Sequence, residues 1–151
     1  MEQEIEIKKG DVFFATFEQF VGSEQKGDRP VVVLQNDVQN KHSPTTIVAP
    51  FTKVLKKAKA PTHILIHKND YLKYDSMILL EQTRVIDKSR LQKYIGSLND
   101  FEMKLINLAL VNVFDVNIID YVIKRLELGG NRYDNYTKKL FSDYYNKEIK
   151  N

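Results

Sequence analysis

Through the first two thirds of the chain the apolar residues come in short runs divided by polar turns; after that they recur at helical spacing. Asp11–Phe17 alternates only in part, with Val12, Phe13, Phe14 and Phe17 apolar. Pro30–Leu34 is a continuous β-branched run, the pattern of a strand buried on both faces. Thr46–Phe51, Thr62–Ile66, Ser76–Leu80 and Thr83–Ile86 complete the set. Strands this short and evenly spaced predict a small barrel or strongly bent sheet. Asp87–Arg90 reads as one capped helical turn. Asn99 with Glu102 three residues on makes a capping-box start. Leu105, Ile106, Ala109, Leu110, Val113 and Phe114 then mark an amphipathic helix that covers the sheet. Ile118, Ile119, Val122, Ile123 and Leu126 extend the apolar pattern to a stop at Gly129, Gly130 and Asn131. Tyr133, Tyr136, Leu140, Phe141 and Tyr144 mark a final aromatic-rich helix. The class is α+β, mainly β, with a helix and a helical extension at the end.

Composition narrows this reading without redirecting it. At 151 residues and 42% hydrophobic, the chain has room for one domain with an appendage and a proper core. It has no cysteine, which excludes disulfides and thiolate metal sites. Met1–Lys9 is charged and has no apolar stretch of the kind a secretory signal needs. No run is long enough to span a bilayer, so a soluble cytoplasmic protein is expected. The net charge of +3 permits a polyanionic partner without demanding one. Lys53, Lys56, Lys57 and Lys59 form the only dense basic cluster. His42, His63 and His67 lack metal-ligand spacing, so neither a metal nor another cofactor is expected.

Two landmarks carry the chemistry. Gly22-Ser23-Glu24-Gln25-Lys26-Gly27-Asp28-Arg29-Pro30 is a flexible polar loop ending in an arginine at the mouth of a buried strand. A guanidinium with a rigid base and an open approach suits a phosphate better than a core. The alternative for Arg29 is a salt bridge that tethers the loop. Pro50-Phe51-Thr52 closes a second β-rich run, and a threonine there is by itself a cap or packing residue as readily as a phosphate ligand.

From Gly10 to about Val116 the chain resembles the MazF/PemK/Kid family of toxin endoribonucleases, in particular its Gram-positive branch. The resemblance rests on Gly10-Asp11-Val12-Phe13-Phe14-Ala15, Val21-Gly22-Ser23-Glu24-Gln25, Arg29-Pro30-Val31-Val32-Val33 and Gln35-Asn36-Asp37. It continues through Asn40, Ser43-Pro44-Thr45, Lys59-Ala60-Pro61-Thr62-His63, Leu79-Leu80-Glu81-Gln82, Arg84-Val85-Ile86-Asp87-Lys88 and Arg90-Leu91. It implies an SH3-like small barrel of the CcdB/MazF type, over residues 1–116, followed by a helical extension at 117–151 outside the usual family length. It further implies a homodimer whose groove holds single-stranded RNA and a cognate MazE-like antitoxin whose disordered tail fills that groove. The implied reaction is metal-independent, sequence-specific cleavage of mRNA to 2′,3′-cyclic phosphate and 5′-hydroxyl ends.

Carried onto this sequence, the resemblance makes Arg29 and Thr52 catalytic and makes Ser23, Glu24, Gln25, Glu81 and Gln82 base-recognition candidates. Phe20 is a candidate stacking platform and Lys53 and Lys56 candidate backbone contacts, whereas Phe51 fits the core better. The family role of Arg29 as acid or base conflicts with a guanidinium pKa above ~12, so charge stabilisation is the better assignment. Glu24 or Asp28 is then the carboxylate available for the 2′-hydroxyl proton. An ordinary polar rim remains the alternative for the loop residues. A gyrase-poisoning toxin of the same fold and a non-catalytic RNA- or protein-binding barrel are the competing functions. The first is weakened by the lack of tryptophan.

Overall fold

The computed structural model describes residues 6–19, 21–55 and 60–117. The chain divides into two units after Asp115. The readings made on residues 118–151, on Phe20 and on Lys56, Lys57 and Lys59 lie outside the described residues.

Strand β1 (Asp11–Phe17) folds back on β2 (Gly27–Val33) in an antiparallel hairpin with Val12 opposite Val32 and Phe13 opposite Val31. Alternation then separates two apolar layers. Val12 and Val32 join Ala49, Phe51, Ile78 and Leu80 in one core. Phe13, Ala15, Phe17, Val31 and Val33 join Val48 and Ile86 in the other. Burial on both faces is why this stretch reads as an unbroken apolar run.

Strand β3 (Thr45–Thr52) is the spine of the sheet. Along one edge it pairs with β2, Val31 opposite Pro50. Along the other, Thr45–Val48 pairs with β6 (Arg84–Asp87), and Phe51 and Thr52 pair with β5 (Ser76–Leu79). Pro50, which has no N–H, occupies the handover between those two partners, where no ladder donor is required. β4 (His63–Ile66) extends the β5 side, and β7 (Leu91–Ser97) pairs with β1 at the opposite end. The result is a mainly β, antiparallel, strongly bent barrel closed by a helix.

Helix α2 (Asp100–Val113) starts at the predicted capping box: Asn99 accepts from the Glu102 N–H, and Glu102 accepts from the Asn99 N–H. It lays Ile106 and Ala109, with Met103, Leu110 and Val113 beside them, onto the first core. Phe114, expected on that covering face, is instead the C-cap residue and is exposed. Three elements were not anticipated, one of them the single helical turn Leu80–Gln82, which takes Leu80 out of the expected strand Ser76–Leu80. Helix α1 (Asp37–His42) is capped by Asn36 and anchored by buried Asn40, which donates to the Gln35 carbonyl and accepts from the Thr46 hydroxyl. β7 carries Gln92, Lys93 and an exposed Tyr94, so its sequence lacks an apolar signature. The turn at Lys88–Arg90, capped by Asp87, matches expectation. Among the described residues no helix is long and apolar enough to cross a membrane.

Candidate active site

A cleft of about 820 Å³ opens where β2 begins and β3 ends, beside the turn after β5. It is lined by Ser23, Gln25, Arg29, Thr52, Lys53, Glu81 and Gln82 from the sequence-derived candidates. Asp28, His63, Tyr71, Lys73 and Tyr74 line it as well. Residues far apart in the chain meet here because β3 binds β2 on one edge and β5 on the other.

The β2–β3 register, carried two residues past Val31 and Pro50, sets Arg29 opposite Thr52. The half-buried Arg29 guanidinium donates from Nη1 to the Phe51 carbonyl at 3.3 Å and from Nε to the Lys26 carbonyl at 3.0 Å. Nη2 also donates to the Lys26 carbonyl, and Nη1 to the Gln25 side-chain oxygen. All of these acceptors are neutral. Ion pairs among the described residues include Lys8–Glu6, His63–Glu81 and His67–Asp75, and Arg29 is in none of these. The loop is therefore tethered to Arg29 without its charge being cancelled. Burial, and after it the like charge of Arg84, holds the guanidinium below its ordinary value. A partly desolvated, uncompensated cation at a cleft is a site for an anion.

Thr52 Oγ1 accepts from the Val54 N–H at 3.2 Å, which leaves its own hydroxyl hydrogen to donate elsewhere. Lys53 places Nζ 4.5 Å from the centre of the Tyr74 ring. Phe51 is 2% exposed and belongs to the core.

The loop candidates divide. Glu24 turns its carboxylate back to the Val21 N–H at 2.9 Å and does not line the cleft. Asp28 lines it and accepts from the Thr16 hydroxyl at 2.7 Å. Gln25 donates its backbone N–H to the Gln82 side chain at 2.9 Å, and the other end of that carboxamide donates to the Ser23 carbonyl at 3.4 Å.

Glu81 is paired with His63, Nε2 to Oε1 at 2.7 Å, with the imidazole almost wholly buried. In the sequence His63 stands out only for lacking metal-ligand spacing and as the end of the Lys59–His63 motif. An imidazole eighteen residues from its carboxylate partner gives no local signal. Tyr71 and Tyr74 were missed because they stand in a polar stretch between strands. Among the described residues no group of three or more His, Asp or Glu side chains is placed to hold a metal ion.

The sequence model of the PemK-like, MazF-like toxins of type II toxin–antitoxin systems matches residues 8–114. The chain belongs to this family. It is 50% identical over 105 residues to an endoribonuclease MazF of Staphylococcus saprophyticus, covering 69% of this chain and 88% of that one. Solved structures agree in fold. Toxin MazF-mt6 of Mycobacterium tuberculosis superposes with a TM-score of 0.61 at 22% identity, over 71% of this chain and 98% of its own. A chain of a MazE–MazF crystal structure from Deinococcus radiodurans gives 0.62 at 18% identity, over 76% and 100%. The match spans both cleft-forming strands, so the uncompensated arginine lies within the family's region and not in an appendage.

Proposed function

We propose that this endoribonuclease is the toxin of a type II toxin–antitoxin pair and cuts single-stranded mRNA at short specific sequences without a metal. The observation that carries the reading is Arg29: a half-buried cation, bonded only to neutral acceptors, facing a cleft that also holds Thr52. RNA supplies its own nucleophile, the 2′-hydroxyl beside the scissile phosphate. The protein's work is then to align the attack, move two protons and stabilise the added negative charge.

In this mechanism Arg29 stabilises the pentacoordinate transition state as a cation, and the Thr52 hydroxyl donates to a phosphate oxygen or the leaving 5′-oxygen. Asp28 is favoured over Glu24 as acceptor of the 2′-hydroxyl proton, because its carboxylate belongs to a cleft-lining residue while that of Glu24 caps its own loop. As the 2′-oxygen bonds to phosphorus the P–O5′ bond breaks and the departing 5′-oxygen takes a proton from water, giving a 2′,3′-cyclic phosphate and a 5′-hydroxyl. Ser23, Gln25 and Glu81, with Lys53 and Lys73 along the rim, supply groups that meet unstacked bases and backbone. Two protomers complete the groove, a MazE-like antitoxin tail blocks it, and the pair works in the cytoplasm.

The test is incubation of the purified protein with a long unstructured RNA in excess chelator, beside Arg29→Ala. Discrete cuts with 5′-hydroxyl ends, lost in the folded variant by at least ~10³-fold, support the proposal. Intact RNA with trapped gyrase cleavage complexes, or RNA binding without cuts, overturns it.

A further inference from the structure

We infer that Gln82 and Arg84 are positioning residues that brace the Ser23–Lys26 loop and so hold the Arg29 fork in register with the cleft. This rests on the cleavage reading above.

The loop that carries Ser23–Lys26 is bounded by Gly22 and Gly27, both in the left-handed region with φ of 57° and 72°. An added Cβ would meet nothing within 4 Å at either glycine, so backbone conformation alone calls for glycine at both ends. Such a loop has a pivot at each end and needs to be held from outside. The short segment from the turn after β5 into β6 does this at three points. The Gln82 carboxamide takes the Gln25 N–H on its oxygen at 2.9 Å and gives its nitrogen to the Ser23 carbonyl at 3.4 Å. Arg84 Nη2 donates to the Gln25 carbonyl at 3.1 Å. The Arg84 guanidinium is itself fixed 4.2 Å over the ring of Phe17, the last residue of β1.

The consequence falls on Arg29. Of the four hydrogen bonds that its guanidinium makes among the described residues, three end on Gln25 or Lys26. The position of the guanidinium is thus a function of the position of the loop. With both ends of its carboxamide engaged by loop backbone, Gln82 acts through Arg29 and not on a base. Freeing the loop spreads the fork over many orientations and lowers the rate of the chemical step, with little effect on how tightly RNA is held.

The experiment uses the full chain with Gln82→Ala and Arg84→Met, the latter keeping an apolar stem on Phe17. The first readout is the hydrogen exchange of the Gln25 amide. It is expected to quicken at least ~10-fold in both variants, as for any amide that loses the contacts ordering its segment. The second is steady-state cleavage of a single-site RNA oligonucleotide, with kcat down ~10- to 100-fold and KM within about threefold. Gln82→Glu keeps the oxygen that accepts from Gln25 and is expected to restore the protection. Unchanged Gln25 exchange overturns the inference. So does a Gln82→Ala variant that raises KM or shifts the cut sequence at constant kcat, the signature of a base contact. A wild-type protein that cuts no RNA overturns the cleavage reading instead, and the exchange data then decide whether the brace exists.

Discussion

At the scale of single residues the proposed chemistry turns on shape as much as on charge. Arg29 makes a planar set of contacts to Gln25, Lys26 and Phe51 that an ammonium cannot reproduce. Arg29→Lys, which keeps the positive charge, is therefore expected to lose about 100-fold in kcat with a normal thermal melt. Thr52→Val removes the hydroxyl both as a donor and as the acceptor for the exposed Val54 N–H, which water can take over, and keeps the β-branched shape, so a loss of about 100-fold in kcat with little change in stability is expected. Single-turnover cleavage with a defined oligonucleotide measures both. That Arg29 and Thr52 could meet at one cleft was legible in the sequence because one leads into an apolar run, the other closes one, and both stand in family motifs. The His63–Glu81 pair and the Gln82–Gln25 bridge were not, since each joins segments whose meeting depends on the path of β3.

Elements are held by features that range from obvious to hidden. The start of α2 was readable from Asn99 and Glu102 alone, as capping is local chemistry. Asn99→Ala is expected to cost about 1 kcal/mol, seen as a lower urea midpoint at constant slope. β7 was not readable, because a strand with one face toward solvent and few apolar residues resembles a loop. It is held by its pairing with β1, and a close approach adds to this. A Cβ on Gly96 would lie 2.3 Å from Cδ1 of Tyr71, so the ring rests directly on the strand backbone. Gly96→Ala must push the ring or the strand aside and is expected to destabilise by about 1–3 kcal/mol. Because Tyr71 also lines the cleft, the same variant is expected to alter cleavage, which Asn99→Ala is not. Helix α1 escaped notice for a related reason: its anchor is the polar group of Gln35, Asn40 and Thr46, and only burial makes that group an anchor.

For the whole molecule, part of the loss of stability in acid is expected to come from two exposed carboxylates among the described residues. The Lys68 N–H, and then His67, hold Asp75 below the usual carboxylate range. The hydroxyl and the N–H of Ser89 do the same for Asp87. A depressed folded pKa means a contribution fully present above the unfolded value near 4 and lost as pH falls through the lower folded one. Replacing both by alanine is expected to flatten the fall in urea midpoint between pH 4 and 2, relative to wild type, as fewer native carboxylates remain to protonate. Shortening the chain after Gly130 is expected to leave cleavage intact, since the family match ends at residue 114. The route of β3 has its own thermodynamic outcome. One strand supplies Val48 to one apolar layer and Ala49 and Phe51 to the other, so neither layer keeps its wall if the other melts. Residues 6–115 are then expected to unfold in one cooperative step, with calorimetric and van't Hoff enthalpies equal across that unit.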